Sequence, residues 1–370
     1  MILIRRKSII MPILLILLQY NDIIVSSKDG AVKFLEEKMS VTKGKKWGIR
    51  VLRVIGIVLL AVIILVAAFF IKAARTPAVP RNYIETVKTG GDIEEKYLKN
   101  GMYKTAYTEV GALQDYKKYE IYYPEELTST DKKYPVIVVS NGTGVKGSKA
   151  RAMFEHFASW GFIVIGNEEE YSWNGFASDM SLNYLLKCNH DGESIFYQKI
   201  DTDNIGSLGH SQGGVGAINA VTEAKHAAKY RTVVAESPAN PELGAGLEWD
   251  YDISKVNIPI FMVAGTKGDF EMKTVIPSEK LPEMYAQITA PKAMARKKDC
   301  EHGEMLYSAD GYVTAWFMWQ LQGDKEAAGA FIGDKPELMN NELYQEQRIE
   351  FEINDSSGIN ASVKFLSGNE

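Results

Sequence analysis

A serine acts as a nucleophile near neutral pH only when a base can take its proton, so the first question is where a serine, a histidine and a carboxylate stand along the chain. Gly209-His210-Ser211-Gln212-Gly213 fits G-x-S-x-G, the pattern of a serine held up on a sharp strand-to-helix turn. Such a turn needs glycine two places before and two places after the serine, because a Cβ there would meet the strand and helix that support the hydroxyl. Gly209 and Gly213 meet that need. The N–H of Gln212, opening the next helix, is then the expected first donor to the oxyanion of a tetrahedral intermediate.

The base and the acid follow from chain order, which for this turn runs Ser, then Asp or Glu, then His. Of five histidines, His156, His190 and His210 precede or adjoin the serine. His226 sits in the helical run AVTEAKHAAKY, where a satisfied structural role is expected. His302 lies in KDCEHGEM, a polar loop after the last candidate strand, and is assigned as the base. The acid should end the strand IPIFMVA, and Asp269 in Gly265-Thr266-Lys267-Gly268-Asp269 is assigned, with Glu271 and Asp299 as competitors. The second oxyanion donor is expected from Ser140-Asn141-Gly142-Thr143-Gly144: the N–H of Thr143, with Gly142 allowing the turn and Gly144 the alternative.

These residues need a scaffold, and the chain between them alternates strand-like with helix-like runs. Tyr116 to Tyr123, Tyr134 to Ser140, Phe162 to Ile165, Asn204 to Leu208, Thr232 to Ala235, Ile258 to Ala264 and the weaker Ala293 to Arg296 read as strands. Ala150 to Trp160 and Gly214 to Ala228 read as helices. Continuous apolar strands separated by helices predict an α/β fold with a mostly parallel sheet covered on both faces. Only about twenty residues separate the strands ending near Glu236 and starting at Ile258, too few for a large helical lid. Trp249 and Tyr251 in that stretch, with Tyr171 and Trp173 after an earlier strand, are candidates to line a substrate pocket.

Composition bounds the rest. In 370 residues, 46% are hydrophobic and 24% charged, which excludes a disordered chain. Two cysteines, Cys188 and Cys300, cannot make a disulfide scaffold or the usual cysteine zinc site, and both are expected free and buried. The first 80 residues carry thirteen Lys and Arg against four Asp and Glu, a net of +9, while the other 290 are net −14. An acidic body of that kind argues against nucleic-acid binding, which depends on neutralising phosphate. No metal and no organic cofactor are implied.

The positive charge surrounds an apolar segment. Val54 to Ile71 has eighteen positions without a charge, enough for a helix of roughly 27 Å to cross hydrocarbon. Basic residues precede it more densely than they follow, so the positive-inside rule predicts a cytoplasmic N-terminus and an extracytoplasmic body. A cleaved signal peptide is the alternative. The expected organisation is an N-terminal extension over 1–38, with Met39 a candidate start, and a basic segment over 39–53. A transmembrane anchor over 54–72, a linker over 73–81 and one catalytic domain over 82–370 follow.

Two rival readings compete. Gly142, Gly144 and Gly147, with Glu168 ending the next strand, also spell a dinucleotide-binding loop; that reading leaves the order of Ser211, Asp269 and His302 to coincidence. A phosphate-binding P-loop fails because Ser148 follows Gly147 where Lys is required. The other rival is a hydrolase-like domain without activity that serves as a surface binding module.

At this point the residues resemble the α/β-hydrolase superfamily, and within it the cutinase-like polyester hydrolases, with looser likeness to dienelactone hydrolases, chlorophyllases and platelet-activating-factor acetylhydrolases. The likeness runs from about Tyr116 to Ala330 and is carried by YPVIVVSNGTG, FASWGFIVI, IDTDNIGSLGHSQGG, VNIPIFMVAGTKGD, EHGEM and YVTAWFMWQL. The resemblance implies a triad at Ser211, Asp269 and His302, an oxyanion donor just after Gly142, and cleavage of small or lipid-like esters. Cutinase-like enzymes usually carry an aromatic residue where Thr143 stands, and a Trp near Ser237-Pro238-Ala239-Asn240. Both help hold aromatic or polymer substrates, so the resemblance implies esterase chemistry without assigning polyester cleavage.

Overall fold

The computed structural model describes residues 55–64, 76–112, 116–354 and 360–366. The chain divides into Met1–Thr76 and Pro77–Glu370. In the first unit residues 55–64 are helical. Among the described residues no helix is long and apolar enough to cross a membrane; the rest of the expected 54–72 span, and the expected segments 1–38 and 39–53, lie outside them.

The second unit is built on ten strands: β1 (Thr105–Gly111), β2 (Lys118–Pro124), β3 (Tyr134–Ser140), β4 (Ile163–Asn167), β5 (Ile200–His210), β6 (Tyr230–Glu236), β7 (Ile260–Lys267), β8 (Lys292–Glu301), β9 (Tyr344–Asn354) and β10 (Asn360–Leu366). They form one sheet in the order β1-β2-β4-β3-β5-β6-β7-β8-β9-β10. The six strands β3 to β8 run parallel, while β1, β2, β9 and β10 extend the edges antiparallel. The helices of six or more residues in this unit are α1 (Asp92–Leu98), α2 (Arg151–Ser159), α3 (Phe176–Cys188), α4 (Gln212–Thr222), α5 (Pro241–Gly246), α6 (Lys280–Gln287) and α7 (Asp310–Gln322).

Burial on both faces explains why the central strands read as unbroken apolar runs. In β3 the side chains alternate between two cores: Ile137 and Val139 pack with Phe154 and Phe157 of α2 and Trp316 and Phe317 of α7. Val136 and Val138 pack with Leu182 and Leu185 of α3 and Ala217 and Ile218 of α4. Trp316 donates its indole N–H to Thr232 Oγ1 at 2.7 Å, so the largest core side chain buries no unpaired polar atom. Between β6 and β7 the chain carries α5 and a single 3-10 turn, Ile253–Lys255. Cys188 and Cys300 are free and buried.

This order positions the site. The chain moves outward from β3 to β4 and returns across it to β5, so the loops after β3 and β5 diverge and leave a crevice at the carboxyl ends of the strands. The loops that carry Thr143 and Ser211 meet there.

Candidate active site

Ser211 stands between β5 and α4 with φ 59° and ψ −124°, a backbone region that costs a non-glycine residue of order 1–3 kcal/mol. The surroundings hold it there. A Cβ on Gly209 would lie 1.9 Å from the carbonyl oxygen of Gly213, and one on Gly213 would lie 2.2 Å from that of Ser140. Both glycines are therefore fixed by space. The N–H of Ser211 donates to the Glu236 carbonyl at 2.9 Å, tying the turn to the end of β6.

His302 opens a turn after β8. Its Nε2 lies 2.9 Å from Ser211 Oγ, and its Nδ1 lies 2.6 Å from Glu271 Oε2. The structure thus brings Ser211 and His302 together and places Glu271, not Asp269, against the other ring nitrogen. Asp269 points outward, with a side chain 82% exposed and a 2.9 Å pair to Lys273. The reason is local. Beyond Gly268, which turns the chain at φ 87°, a π-type turn runs over Phe270–Val275. Residues 269 and 271 then face opposite sides, about half a turn apart. Asp269 shares the solvent face with Lys273, and Glu271 shares the buried face with Val275. Asp299 is exposed near the end of β8 and its N–H donates to Thr266 Oγ1.

Glu271 is fully buried. Burial pushes its carboxyl up, but the bonds from His302 and from Ser237, at 2.6 Å, outweigh that. With the backbone N–H of Gly265 at 2.7 Å, they hold the group below its ordinary range. Glu271 is therefore a carboxylate at neutral pH, an acceptor fitted to orient His302. Its loop is braced by the fully buried Arg296, which donates to the carbonyls of Gly265, Ile276 and Pro277 at 3.1, 2.8 and 2.7 Å and to Glu346 at 3.0 Å. Sequence reasoning did not find Arg296 or Ser237.

The other half of the site is the loop after β3. A Cβ on Gly142 would sit 3.7 Å from Ser211 Cβ and 3.1 Å from the His210 carbonyl, so this loop lies against the elbow. Gly144 gives its N–H to the Glu170 carbonyl at 3.2 Å, whereas that of Thr143 makes no bond to the described residues. The N–H of Gln212, in the first turn of α4, has no intrahelical partner. Two donors are thus left for an oxyanion beside Ser211. The Gln212 side chain faces inward, accepting the N–H of Ser172 at 3.0 Å and so fixing the loop that bears Tyr171.

Around this centre Tyr171 is 54% and Phe270 59% exposed. Phe270 meets the His302 ring edge-on, with centroids 5.0 Å apart. Trp173 and Trp249 are half-buried. Asn219 donates to the carbonyls of Trp173 and Asp250, at 2.9 and 3.0 Å, so one amide joins both aromatic-bearing loops. Tyr251 is instead packed inward, its hydroxyl donating to the Ala239 carbonyl at 2.7 Å. His226 is satisfied by Asp179 at 2.9 Å.

The glycine-rich alternative does not form a nucleotide cradle. Glu168 spends its carboxylate on the N–H and hydroxyl of Ser148, at 2.9 and 3.0 Å, inside the same loop. Gly147 is pressed on the Asn167 carbonyl, 2.8 Å from where a Cβ would stand. Among the described residues no three His, Cys, Asp or Glu side chains converge as a metal site.

Comparison with known proteins agrees with the α/β fold. The family model for PET hydrolase-like proteins matches residues 85–319, well over half of the chain. No curated protein matches it.

Proposed function

The chain belongs to the PET hydrolase-like family, a polyester-hydrolase branch of the α/β-hydrolases, and we propose that within it the protein is a serine carboxylic-ester hydrolase that works through an acyl-enzyme. The observation that carries the reading is the bonded chain from Ser211 Oγ through His302 to Glu271, mounted on a strained elbow.

In this mechanism Ser211 Oγ attacks the ester carbonyl while His302 Nε2 takes its proton. Glu271 keeps the other ring nitrogen protonated and balances the imidazolium charge. The N–H groups of Thr143 and Gln212 hold the oxyanion. As the tetrahedral intermediate collapses, His302 returns the proton to the departing alkoxide and the acyl group stays on Ser211. Water, deprotonated by His302, then attacks the acyl carbonyl, and Ser211 leaves with the proton.

The substrate is a small or lipid-like ester, reached through a cleft without a large lid. The exposed rings of Tyr171 and Phe270 give that cleft apolar walls. We further propose that the basic and apolar segment before residue 73 anchors the protein in the cell membrane with its catalytic domain extracytoplasmic, on the charge asymmetry of the sequence.

Hydrolysis of short and medium p-nitrophenyl esters tests the activity. Ser211→Ala and His302→Ala should each lose roughly 10³-fold or more in kcat/KM. Equal rates for wild type and Ser211→Ala on folded protein would refute the serine mechanism. Fractionation with protease treatment of intact cells tests the anchor: a soluble, protected domain would contradict it.

A further inference from the structure

Two consecutive residues at the end of β6 grip the two ends of the site. The carbonyl of Glu236 receives the N–H of Ser211 at 2.9 Å, and the hydroxyl of the next residue, Ser237, donates to Glu271 Oε1 at 2.6 Å. Ser237 is fully buried and has φ 38°, a conformation that costs a non-glycine residue and persists only where the surroundings impose it. Its own N–H is bonded to the Val263 carbonyl at 2.7 Å, which anchors the strained residue to β7 beside the acid. The side chain therefore has little freedom to point anywhere else.

We propose that Ser237 is a positioning residue of the hydrolase, a fourth member of the relay Ser211–His302–Glu271–Ser237 that fixes which oxygen of Glu271 faces His302. The inference rests on the serine-hydrolase reading above. Its physical content is an accounting of acceptors. Glu271 Oε1 takes two donors, Ser237 Oγ and Gly265 N–H, and Oε2 takes His302 Nδ1. With both oxygens engaged the carboxylate cannot rotate, and a 2.6 Å hydroxyl bond to an anion is of the strong, charge-assisted kind. Without the hydroxyl, a buried oxygen keeps a single backbone donor, and Glu271 holds its charge less readily.

Among the described residues, those packed about the acid leave no substitute for that hydroxyl. His302 is the titratable group on the other oxygen. The guanidinium of Arg296 is spent on carbonyls and on Glu346. Asp269 faces solvent with Lys273. His210 is directed at the His302 carbonyl. Serine is also the smallest residue that carries a hydroxyl donor, which suits a strained, fully enclosed position.

The test is a double-mutant cycle with a pH profile, using p-nitrophenyl butyrate and the full chain. Ser237→Ala should lower kcat/KM by roughly 10- to 100-fold, mostly in kcat. It should also move the acidic limb of the profile to higher pH, because the carboxylate that loses its donor holds protons more tightly. Ser237→Gly, which relieves the positive φ, should show the same limb shift in a protein at least as stable as the alanine variant, which covers the case where the alanine variant fails to fold. In a Glu271→Ala background, removing the hydroxyl should cost almost nothing more, since Ser237 acts through Glu271. An unmoved acidic limb in both variants, or a full additive loss in the Glu271→Ala background, overturns the proposal. Ser211→Ala runs alongside: if it stays active, the hydrolase reading itself fails, whereas an inactive Ser211→Ala with an unmoved limb refutes Ser237 alone.

Discussion

His210 Nε2 lies 2.7 Å from the backbone carbonyl of His302, with the two rings 4.7 Å apart. A carbonyl only accepts, so His210 is the Nε2–H tautomer and donates. The residue beside the nucleophile therefore holds up the loop of the base, 92 positions away in sequence. Burial, and then the charge of His302, push its imidazole down to about 3, so it is neutral wherever the protein is folded and active.

His210→Ala should accordingly lower kcat by roughly 10-fold or more, the worth of one buried bond that fixes the base, with little change in KM. Steady-state kinetics on a p-nitrophenyl ester decide it. A variant as fast as wild type would show that the loop stands without this strut.

The two acidic candidates should separate cleanly. Glu271→Ala is expected to lose roughly 10²- to 10⁴-fold in kcat/KM, as removal of a triad carboxylate does. Asp269→Ala should stay within about 2-fold of wild type, because an exposed pair with Lys273 is worth little. The reverse ranking would mean that Asp269 turns inward when substrate binds.

Near the end of β6 and at the start of α7, Glu236 and Asp310 are fully buried carboxyls without a well-formed hydrogen bond among the described residues. Burial, then the charge of Asp310, pushes Glu236 well above the carboxylate range. Burial pushes Asp310 up to about 8 against the pull of Tyr83 and Lys297. Protonated in the fold and ionised in the unfolded chain, these groups make stability fall as pH rises from about 4 toward 8, by about 1.4 kcal/mol per pH unit for each proton retained. Thermal unfolding at pH 5 and pH 8 should show Asp310→Asn losing less stability across that range than wild type. Parallel losses would place the carboxyl's proton elsewhere.

Arg296 offers a stability test. Its removal leaves three buried carbonyls and Glu346 without their cation, so Arg296→Met should destabilise by roughly 3–5 kcal/mol, as breaking buried ion pairs does. Urea unfolding reads this directly, and a cost under about 1 kcal/mol would mean that water replaces the guanidinium.

Legibility in the sequence followed locality. Ser211 and His302 could be read because the elbow motif is contiguous and few histidines follow it; β3 could be read to the residue because it is apolar on both faces. Glu271 was a competitor only, since choosing it requires knowing that the chain after β7 makes a turn with Val275 on the inner face. Asp269 and Lys273 four apart, and Glu271 and Val275 four apart, were the available signal. His210, Arg296 and Ser237 act across separations of 19 to 92 residues, which no local pattern displays. Strands β1, β9 and β10 escaped notice because the outer strands of the sheet carry polar and charged residues: TAYTEVG, YQEQRIEFEIN and NASVKFL lack the apolar runs of the sheet interior.

The central claim is that Ser211 is chemically activated by His302 and Glu271. Intact-mass measurement after exposure to a fluorophosphonate tests it most directly, because the reagent forms its adduct only with an activated serine. The account predicts one adduct per chain, mapped to the peptide containing Ser211, absent in Ser211→Ala and strongly slowed in His302→Ala and Glu271→Ala. A folded wild-type protein that takes up no adduct, or an adduct that persists in Ser211→Ala, would contradict it.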